Sequence, residues 1–253
     1  MNNDKLFHLD IAADLRVGYA ILPGDPGRVD KLAKFIESPL QIAYNREFRS
    51  VLGTVAGEKV LITSTGIGGP SAAIALEELS KIGVHTAVRV GTCGGIQMEV
   101  VPGDLIIPVS AVRMEGTTKE YAPVEYPATA DFKVTRVLAD VAEKNGYRYH
   151  TGVIQSKDSF YGQHCPGTMP VSYELENKWN AWKALGVLGS EMETAALFTV
   201  GAVRNIRMGC VLHALWNQER KKQSLPDRDD FDMDAAIKTA VGAVRILIEQ
   251  EEN

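Results

Sequence analysis

The chain has 253 residues, of which 45% are hydrophobic and 23% charged, and its formal net charge is −5. This length allows one large domain or two small ones around a well-buried core. An acidic chain offers no basic surface to neutralise a run of nucleic-acid phosphates or to bind an anionic membrane, so we expect neither partner. No apolar stretch approaches the length of a transmembrane helix.

The cysteine usage indicates the compartment. Cys93, Cys165 and Cys210 are odd in number, widely spaced and without a CxxC pair. This pattern favours free thiols in a reducing compartment over a disulfide framework or a zinc site. The first fifteen residues mix charged with apolar side chains and so have the features of neither a signal nor a transit peptide. We therefore predict a cytoplasmic protein.

The first half alternates β-rich runs with helical patterns, which is typical of an α/β layered domain. Residues 17–22 predict a strand, and a helix is expected to begin at Asp25 as its N-cap and to run to about residue 36. The runs 48–55 and 59–64 predict a hairpin, followed by a helix over 73–82. Further strands are expected at 86–90 and 104–112.

The second half begins with a polar segment, 115–131, predicted to be a surface loop, and continues with a helix over 134–141. A strand at 152–155 leads into an irregular stretch, 156–172, whose length is typical of functional loops. We further predict a short helix around Trp179, a helix over 191–203, a strand over 210–216 and an amphipathic helix over 232–249. Neither an internal repeat nor a low-complexity linker is present, so we expect a single domain, 1–253.

Three of the predicted strands end in glycine-rich turns, and ligands of open α/β sheets bind where strand ends converge. In two turns an arginine is close by, because Arg28 follows Gly24 and Arg89 precedes Thr92. Guanidinium, hydroxyl and backbone N–H groups together can bind inorganic phosphate. For any one turn, a plain turn glycine beside a surface ion pair is the commoner explanation. No turn matches a Walker A motif or the complete dinucleotide fingerprint.

The tripeptide Glu191-Met192-Glu193 opens the helix predicted over 191–203. Its two carboxylates could bind a pair of sugar hydroxyls while the thioether lies under the ring. The commoner role of acids in a first helical turn is to complement the helix dipole. A glycosidase carboxylate pair is disfavoured, because neighbours in sequence do not share a helix face.

Seven motifs, in order along nearly the whole chain, resemble the nucleoside phosphorylase I family; they are Phe7-His8-Leu9, PGDPGR at 23–28, Arg46-Glu47-Phe48, STGIGGPS at 64–71, RVGTCG at 89–94, FYGQ at 160–163 and Glu191-Met192-Glu193. The resemblance implies a single-domain α/β fold in which a mixed β-sheet forms a distorted barrel flanked by α-helices. Similarity is greatest to the branch that cleaves uridine. Its bacterial members are hexamers, built as trimers of dimers, in which a neighbour completes each site.

The activity implied by this resemblance is pyrimidine salvage by reversible phosphorolysis of uridine, with 2′-deoxyuridine as a further candidate substrate. The products would be uracil and ribose 1-phosphate or its deoxy analogue. Inorganic phosphate would be the co-substrate, no organic cofactor is implied, and the partners are the two small molecules and further copies of the chain. Some family members hold a potassium ion at the dimer interface, at positions that match Glu47, Ile67 and Ser71.

Carried over by position, the resemblance implies phosphate binding by Gly24, Arg28, Arg89 and Thr92, with Arg46 supplied by a partner subunit. The catalytic residues would be Arg28, Arg89, Thr92 and Glu193. His8, also from a partner, would meet the ribose 5′-hydroxyl, and the ribose would otherwise be bound by Glu191, Met192 and Glu193. Gln163 would pair with uracil and Phe160 would lie against the base.

Two positions depart from the bacterial pattern that the motifs resemble, because Cys165 and Gln218 stand where arginines that support the uracil O4 edge are expected. The leaving uracil anion needs donors on its carbonyls. Lys157 and His164, in the same segment as Phe160, are our candidates to replace the arginines, and a solvated surface lysine is the alternative for Lys157.

Purine-cleaving members of the family protonate the base through an aspartate where this chain has Asn217. An amide is not a general acid, so the sequence disfavours a purine nucleoside phosphorylase, although a neutral hydrogen bond to a purine stays open. A nucleosidase, which uses water, would have no use for three phosphate-binding arginines. A non-catalytic nucleoside-binding protein is the alternative from another class.

Overall fold

The computed structural model describes residues 4–251, and the described strands form one continuous sheet. In chain order they are β1 (Tyr19–Pro23), β2 (Glu37–Asn45), β3 (Phe48–Val55), β4 (Glu58–Thr63), β5 (Thr86–Gly95), β6 (Leu105–Met114), β7 (Ala128–Thr129), β8 (Tyr149–Lys157), β9 (Gly189–Glu191) and β10 (Arg207–Asn217). The order β10-β6-β8-β9-β5 closes through a further β5–β10 pairing, so five strands form a mixed barrel. The other end of the sheet extends from β5 through β1, β4, β3 and β2.

Helices cover both faces of this sheet. They are α1 (Val29–Ala33), α2 (Gly69–Lys81), α3 (Phe132–Lys144), α4 (Phe160–His164), α5 (Ser172–Ala184), α6 (Thr194–Arg204), α7 (Gln218–Lys222) and α8 (Asp234–Glu249). One hydrophobic core contains residues of α2 and α6, and a second contains residues of α1, α3 and α8. Alternate residues of β1 enter the two cores, as the pleat of a strand requires. The predicted α/β fold with a distorted barrel and flanking helices is confirmed.

The strands, the 48–64 hairpin and the helices of the two cores lie close to their predicted positions, but several segments differ. The helix predicted to extend to about residue 36 is a 3₁₀ turn, Pro26–Arg28, followed by the five-residue α1. The unpredicted β2 follows it as an edge strand, and its mostly exposed residues gave no alternating apolar pattern. The stretch 156–172 contains α4 and a 3₁₀ turn, Pro166–Thr168, and the segment 115–131 contains a 3₁₀ turn, Thr117–Glu120, and β7.

The helix predicted from residue 191 begins at Thr194 instead, and Glu191 is the last residue of β9. The Glu191 carboxylate accepts hydrogen bonds from the backbone N–H groups of Glu193 (2.9 Å) and Thr194 (3.0 Å). The acid therefore caps the helix from outside, which satisfies N–H groups that have no partner within the helix. Over residues 4–251, no helix combines the length and apolar character needed to cross a bilayer.

Candidate active site

A cavity of about 550 Å³ opens at the carboxyl ends of the strands, where the sequence predicted that the ligand site would lie. The turns that follow β1 and β4 line it together with the last residues of β5, β8, β9 and β10. Strand ends converge here because the parallel pairs β1–β4, β1–β5 and β5–β10 bring their carboxyl termini to one edge. The predicted site residues that line the cavity are Gly24, Arg28, Arg89, Thr92, Lys157, Phe160, His164, Glu191, Met192 and Glu193, together with Glu47 and Ile67.

One end of the cavity is cationic. Arg89, at 3% exposure, donates from Nη2 to Glu193 and to Glu191, whose Oε2 lies 3.1 Å away. Its Nε and Nη1 are buried and have no hydrogen-bond partner among the described residues. Buried polar groups are nearly always hydrogen-bonded, so two unpaired guanidinium nitrogens at a cavity wall indicate an anionic ligand.

Arg28 and Gly24 lie beside Arg89 at this end. Burial lowers the pKa of the Arg28 guanidinium, the carboxylate of Asp25 opposes the shift and the charge of Arg89 adds to it. A Cβ at Gly24 would lie 4.0 Å from Arg89 Nη1, so the backbone at this turn passes close to the guanidinium. Two arginines that repel each other in a partly dehydrated site are both stabilised by a shared anion. This end therefore suits phosphate.

The two carboxylates of the Glu191-Met192-Glu193 motif have different surroundings. Glu191 accepts from the Ser156 hydroxyl at 2.5 Å as well as from Arg89 and the first N–H groups of α6, so the protein surrounds it. Glu193 accepts from the Gly68 N–H at 2.5 Å and from Arg89. Burial raises the pKa of the Glu193 carboxyl above its ordinary value, while the positive charge of Arg89 opposes that shift. Glu191 therefore holds Arg89 and the start of α6 in place.

Gly68 is suited to its contact with Glu193 because its φ is 92°, a conformation that side chains rarely adopt. It lies at the N-cap of α2, where backbone N–H groups have no partner within the helix. Its N–H donates to a carboxylate instead, so the turn between β4 and α2 fixes one side of the cavity.

The other end of the cavity is aromatic, with one buried lysine. The Phe160 ring lies 4.3 Å from that of His164 and 6.3 Å, edge to face, from that of Trp216. Lys157, 3% exposed, places Nζ 6.0 Å from the centre of the Phe160 ring and donates to the Ser190 hydroxyl at 2.7 Å. A solvated surface lysine, the alternative reading of the sequence, does not describe this side chain.

Burial lowers the pKa of the Lys157 ammonium, and the carboxylates of Glu191 and Glu193 oppose the shift. Burial, together with the charge of Lys157, lowers the pKa of His164 to about 4, so the imidazole is neutral at physiological pH. His164 Nδ1 lies 3.2 Å from the side-chain oxygen of Gln218, which can only accept. In this arrangement of the Gln218 amide Nδ1 is the donor, which corresponds to the tautomer with Nε2 as an acceptor.

Gln163 lies behind the cavity wall and is not among its lining residues. It is 3% exposed, and its Oε1 accepts from the side-chain nitrogen of Gln155 at 3.1 Å. The expected contact of Gln163 with a base therefore stays a prediction. Cys165, one of the two departures from the family pattern, is exposed and outside the lining set.

Asn217 is buried at the end of β10, and its side chain caps α7. Nδ2 donates to the carbonyls of Gln97 (2.7 Å) and Val100 (2.8 Å), and Oδ1 accepts from the N–H groups of Glu219 (2.9 Å) and Arg220 (3.1 Å). An amide has two donor and two acceptor positions, and all four are used. No group of this side chain remains for a purine base.

His8 and Arg46 do not line the cavity of their own subunit. They lie on one surface, since Asn45, next to Arg46, donates to the His8 carbonyl at 2.8 Å. His8 Nδ1 lies 2.8 Å from the buried carboxylate of Glu78, which orients the ring. Arg46 is exposed and has a φ of 54°. This placement is compatible with a role in a neighbouring site.

Of the residues suggested for potassium, Glu47 and Ile67 line the cavity, and Ser71 contacts Glu47. The Ser71 hydroxyl is 2.8 Å from Glu47 Oε1 and 2.6 Å from the Thr65 carbonyl. The Ile67 side chain is 78% exposed. These oxygens are the type of ligand that hard cations prefer, and a single carboxylate suits a single positive charge.

Sequence reasoning missed Trp216, Ser190 and Gln155. The signal for Trp216 was a large aromatic residue directly before Asn217 at the end of a predicted strand. Ser190 precedes the Glu191-Met192-Glu193 motif by one residue, and Gln155 is a polar residue at the end of the run predicted as a strand at 152–155. Neither residue type is distinctive, and only the pairing of β8 with β9 brings the two together.

Comparisons with known proteins identify the superfamily of this chain. A family model described as the phosphorylase superfamily matches residues 18–249. The chain is similar to uridine phosphorylase of Treponema pallidum (48% identity over 250 residues, 99% of this chain and 97% of the relative). It is also similar to uridine phosphorylase of Salmonella typhimurium (38% over 255 residues, 98% and 100%) and to guanosine phosphorylase of Halorubrum lacusprofundi (38% over 229 residues, 90% and 90%). With its motifs, its barrel and its cationic cavity, the chain belongs to the phosphorylase superfamily.

Proposed function

We propose that this protein is a uridine phosphorylase that converts uridine and inorganic phosphate reversibly into uracil and ribose 1-phosphate, with 2′-deoxyuridine as a second substrate. The observation that carries the proposal is the pair of unpaired, buried Arg89 nitrogens beside Arg28 at one end of a cavity whose other end is aromatic. The relatives named uridine phosphorylase, at up to 48% identity over nearly full length, support the choice of nucleoside.

In the reaction, a phosphate oxygen attacks C1′ from the face opposite the base. The C1′–N1 bond breaks, its electron pair leaves with the base as the uracil anion, and the anion takes up a proton from solvent. The sugar passes through a state with oxocarbenium character and retains phosphate at C1′ with inverted configuration. Gly24, Arg28, Arg89 and Thr92 bind and orient the nucleophile, which lowers the entropic part of the barrier.

The central part of the cavity would bind the ribose. Glu193 presents a carboxylate to the 2′ and 3′ hydroxyls, and Met192 supplies an apolar contact under the ring. Glu191 supports both by holding Arg89 and the first turn of α6. The Glu193 carboxyl, which contacts Arg89, is also placed to favour the positive charge that develops on the sugar.

The uracil would lie at the aromatic end, against Phe160. Lys157 donates to a uracil carbonyl and stabilises the leaving anion, in the role for which the family pattern has arginines. The neutral His164 offers Nε2 as an acceptor, which suits the uracil N3–H better than a second carbonyl. Gln163, which is hydrogen-bonded to Gln155 behind the aromatic end, would contribute to uracil binding.

A neighbouring subunit would complete the site with Arg46 at the phosphate and His8 at the ribose 5′-hydroxyl. The common surface of these residues carries exposed apolar side chains, among them Phe7 and Tyr44, which supports its burial between subunits. We extend the proposal to a hexamer formed as a trimer of dimers. The proposal also includes a potassium ion between Glu47, Ile67 and Ser71. We further propose a cytoplasmic location and a role in pyrimidine salvage.

Product formation from uridine, thymidine, inosine, guanosine and adenosine, each with and without phosphate, tests the proposal. We expect uracil and ribose 1-phosphate from uridine only when phosphate is present, with the purine nucleosides inert because Asn217 has no free group. Uracil release without phosphate would indicate a nucleosidase. Purine cleavage would reject the base assignment, and nucleoside binding without turnover would reject the enzyme.

A further inference from the structure

Gln155 is completely buried on β8, and its amide connects Gln163 to the wall of the cavity. Successive residues of a strand face opposite sides, so Gln155 and Lys157 share one face of β8 while Ser156 points the other way to Glu191. In the parallel pairing of β8 with β9, Gln155 lies opposite Ser190. Gln155, Lys157 and Ser190 thus form one group at the base end of the cavity.

The donors and acceptors of these side chains define the order of their hydrogen bonds. Gln155 Nε2 donates to Gln163 Oε1 at 3.1 Å and lies 2.8 Å from the thioether sulfur of Met114, so both of its protons are directed at acceptors. Gln155 Oε1 lies 2.8 Å from the Ser190 hydroxyl, which donates its only proton there. The lone pairs of Ser190 then face Lys157 Nζ at 2.7 Å.

Reversing the Gln155 amide would require the Gln163 amide to reverse as well and would leave the Met114 sulfur facing an oxygen, so the orientation with Nε2 toward Met114 and Gln163 is favoured. Lys157 can therefore act only as a donor toward Ser190, and its remaining protons are directed elsewhere. Since Lys157 lines the cavity, these protons are available to a base carbonyl. Because the hydrogen bonds of Gln155 and Ser190 are all made, these buried side chains support the Lys157 ammonium rigidly.

We propose that Gln155 is a positioning residue for base recognition, which acts through the Ser190 hydroxyl to hold Lys157 as a hydrogen-bond donor to the carbonyl of the substrate base. This inference rests on the proposed function, since it assigns Lys157 to uracil. Gln155 itself does not line the cavity, so it acts on a bound base only through other residues.

The test is a double-mutant cycle between Gln155→Met and Lys157→Met, with steady-state kinetics for both substrates. Methionine matches the length of glutamine but has no N–H or carbonyl group. We expect Gln155→Met to raise KM for uridine about tenfold, to lower kcat because the leaving anion loses a positioned donor, and to leave KM for phosphate unchanged, since only the base end is affected. In the Lys157→Met background, the same change should have no further effect.

The matched control is Gln97→Met. Gln97 is a glutamine that is only partly buried, and its side chain donates to the carbonyls of Lys183 and Val187 at 3.1 Å, away from the cavity. Gln97→Met should lower the stability of the folded protein without changing KM for uridine relative to KM for phosphate. If Gln155→Met does not fold, Ser190→Ala breaks the same connection, and its effect should also vanish in the Lys157→Met background.

Effects of Gln155→Met and Lys157→Met that multiply would overturn the inference, as would equal changes in both KM values. Absence of phosphate-dependent uracil release by the unmodified protein would instead reject the proposed function. The two failures are therefore distinguishable.

Discussion

Arg89 Nη2 lies 3.1 Å from Glu191 Oε2, although both side chains are almost completely buried. Burial alone would lower the pKa of the Arg89 guanidinium, but the carboxylates of Glu193 and Glu191 raise it above its ordinary value. Because Glu191 also caps α6, one ionic group ties β5 to the start of that helix. The pairing uses only Nη2 and leaves the other two guanidinium nitrogens for a ligand.

Arg89→Lys should keep the positive charge that Glu191 and Glu193 require but remove the planar fork that binds phosphate. We expect kcat/KM for phosphate to fall about a hundredfold, the usual cost of removing a positioned donor, with the thermal midpoint close to that of the unmodified protein. Arg204→Lys, at the surface beside Glu77, is the control and should leave kinetics unchanged. Unaltered phosphate kinetics in Arg89→Lys would contradict the assigned phosphate site.

Lys157→Met should reduce kcat/KM for uridine about a hundredfold, because the leaving anion loses its charged donor. The folded protein should be no less stable, since the change removes a cation whose pKa burial lowers. Uridine kinetics and urea denaturation measure the two effects separately. Lys178→Met, at an exposed position on α5, is the control. Uridine kinetics that match the unmodified protein would exclude Lys157 from the base site.

The pKa of His164 is lowered from 6.5 to about 4 by burial and by the charge of Lys157. Its folded-state pKa is below that of the unfolded chain, so the unfolded state binds more protons between these values and stability falls as the pH decreases through that window. His164→Gln should therefore reduce the loss of thermal stability between about pH 7 and about pH 5. An equal loss in both proteins, or a His164 ring that titrates near 6.5 by NMR, would contradict this assignment.

Asn217→Asp should not create purine activity, although the resemblance to the family implies an aspartate at this position in purine-cleaving members. The new carboxylate oxygen would face the carbonyls of Gln97 and Val100, which now accept from Nδ2. We expect a loss of about 2 kcal/mol in the free energy of unfolding, because the carbonyls lose their donors and meet an acceptor. Urea denaturation and an inosine assay measure the outcome. Inosine phosphorolysis by the variant would show that residue 217 does reach the base.

Mixing inactive Arg46→Met subunits with inactive Arg89→Met subunits should restore activity. If Arg46 serves a neighbouring site, a mixed dimer contains one site with both arginines intact. Random reassociation should then recover about a quarter of the unmodified activity, since half of the dimers are mixed and half of their sites are complete. Either variant reassociated alone is the control. No recovery on mixing would place Arg46 in its own subunit's site or outside any site.

The local sequence was sufficient to predict most helices and strands and to bring together the residues at the cationic end of the cavity. Glycine-rich turns with neighbouring arginines are short-range patterns, and the parallel strands that carry them end at one edge, so Arg28, Arg89 and Thr92 meet as expected. Apolar periodicity likewise located the hairpin and the helices of the two cores. It could not locate β2, because an exposed edge strand has no buried face to leave a pattern.

Only the tertiary structure decided which hydrogen-bond and ion-pair partners each polar side chain has. Glu191 and Glu193 are two residues apart, yet one caps α6 and the other faces the cavity, because β9 ends between Arg89 and Ser156. An asparagine side chain is chemically able to bind a base. In this structure backbone groups occupy all four hydrogen-bonding positions of Asn217. Residue type and spacing determine what a side chain is able to bind. Its partners depend on strands far apart in the chain, and burial leaves each polar group with only those neighbours.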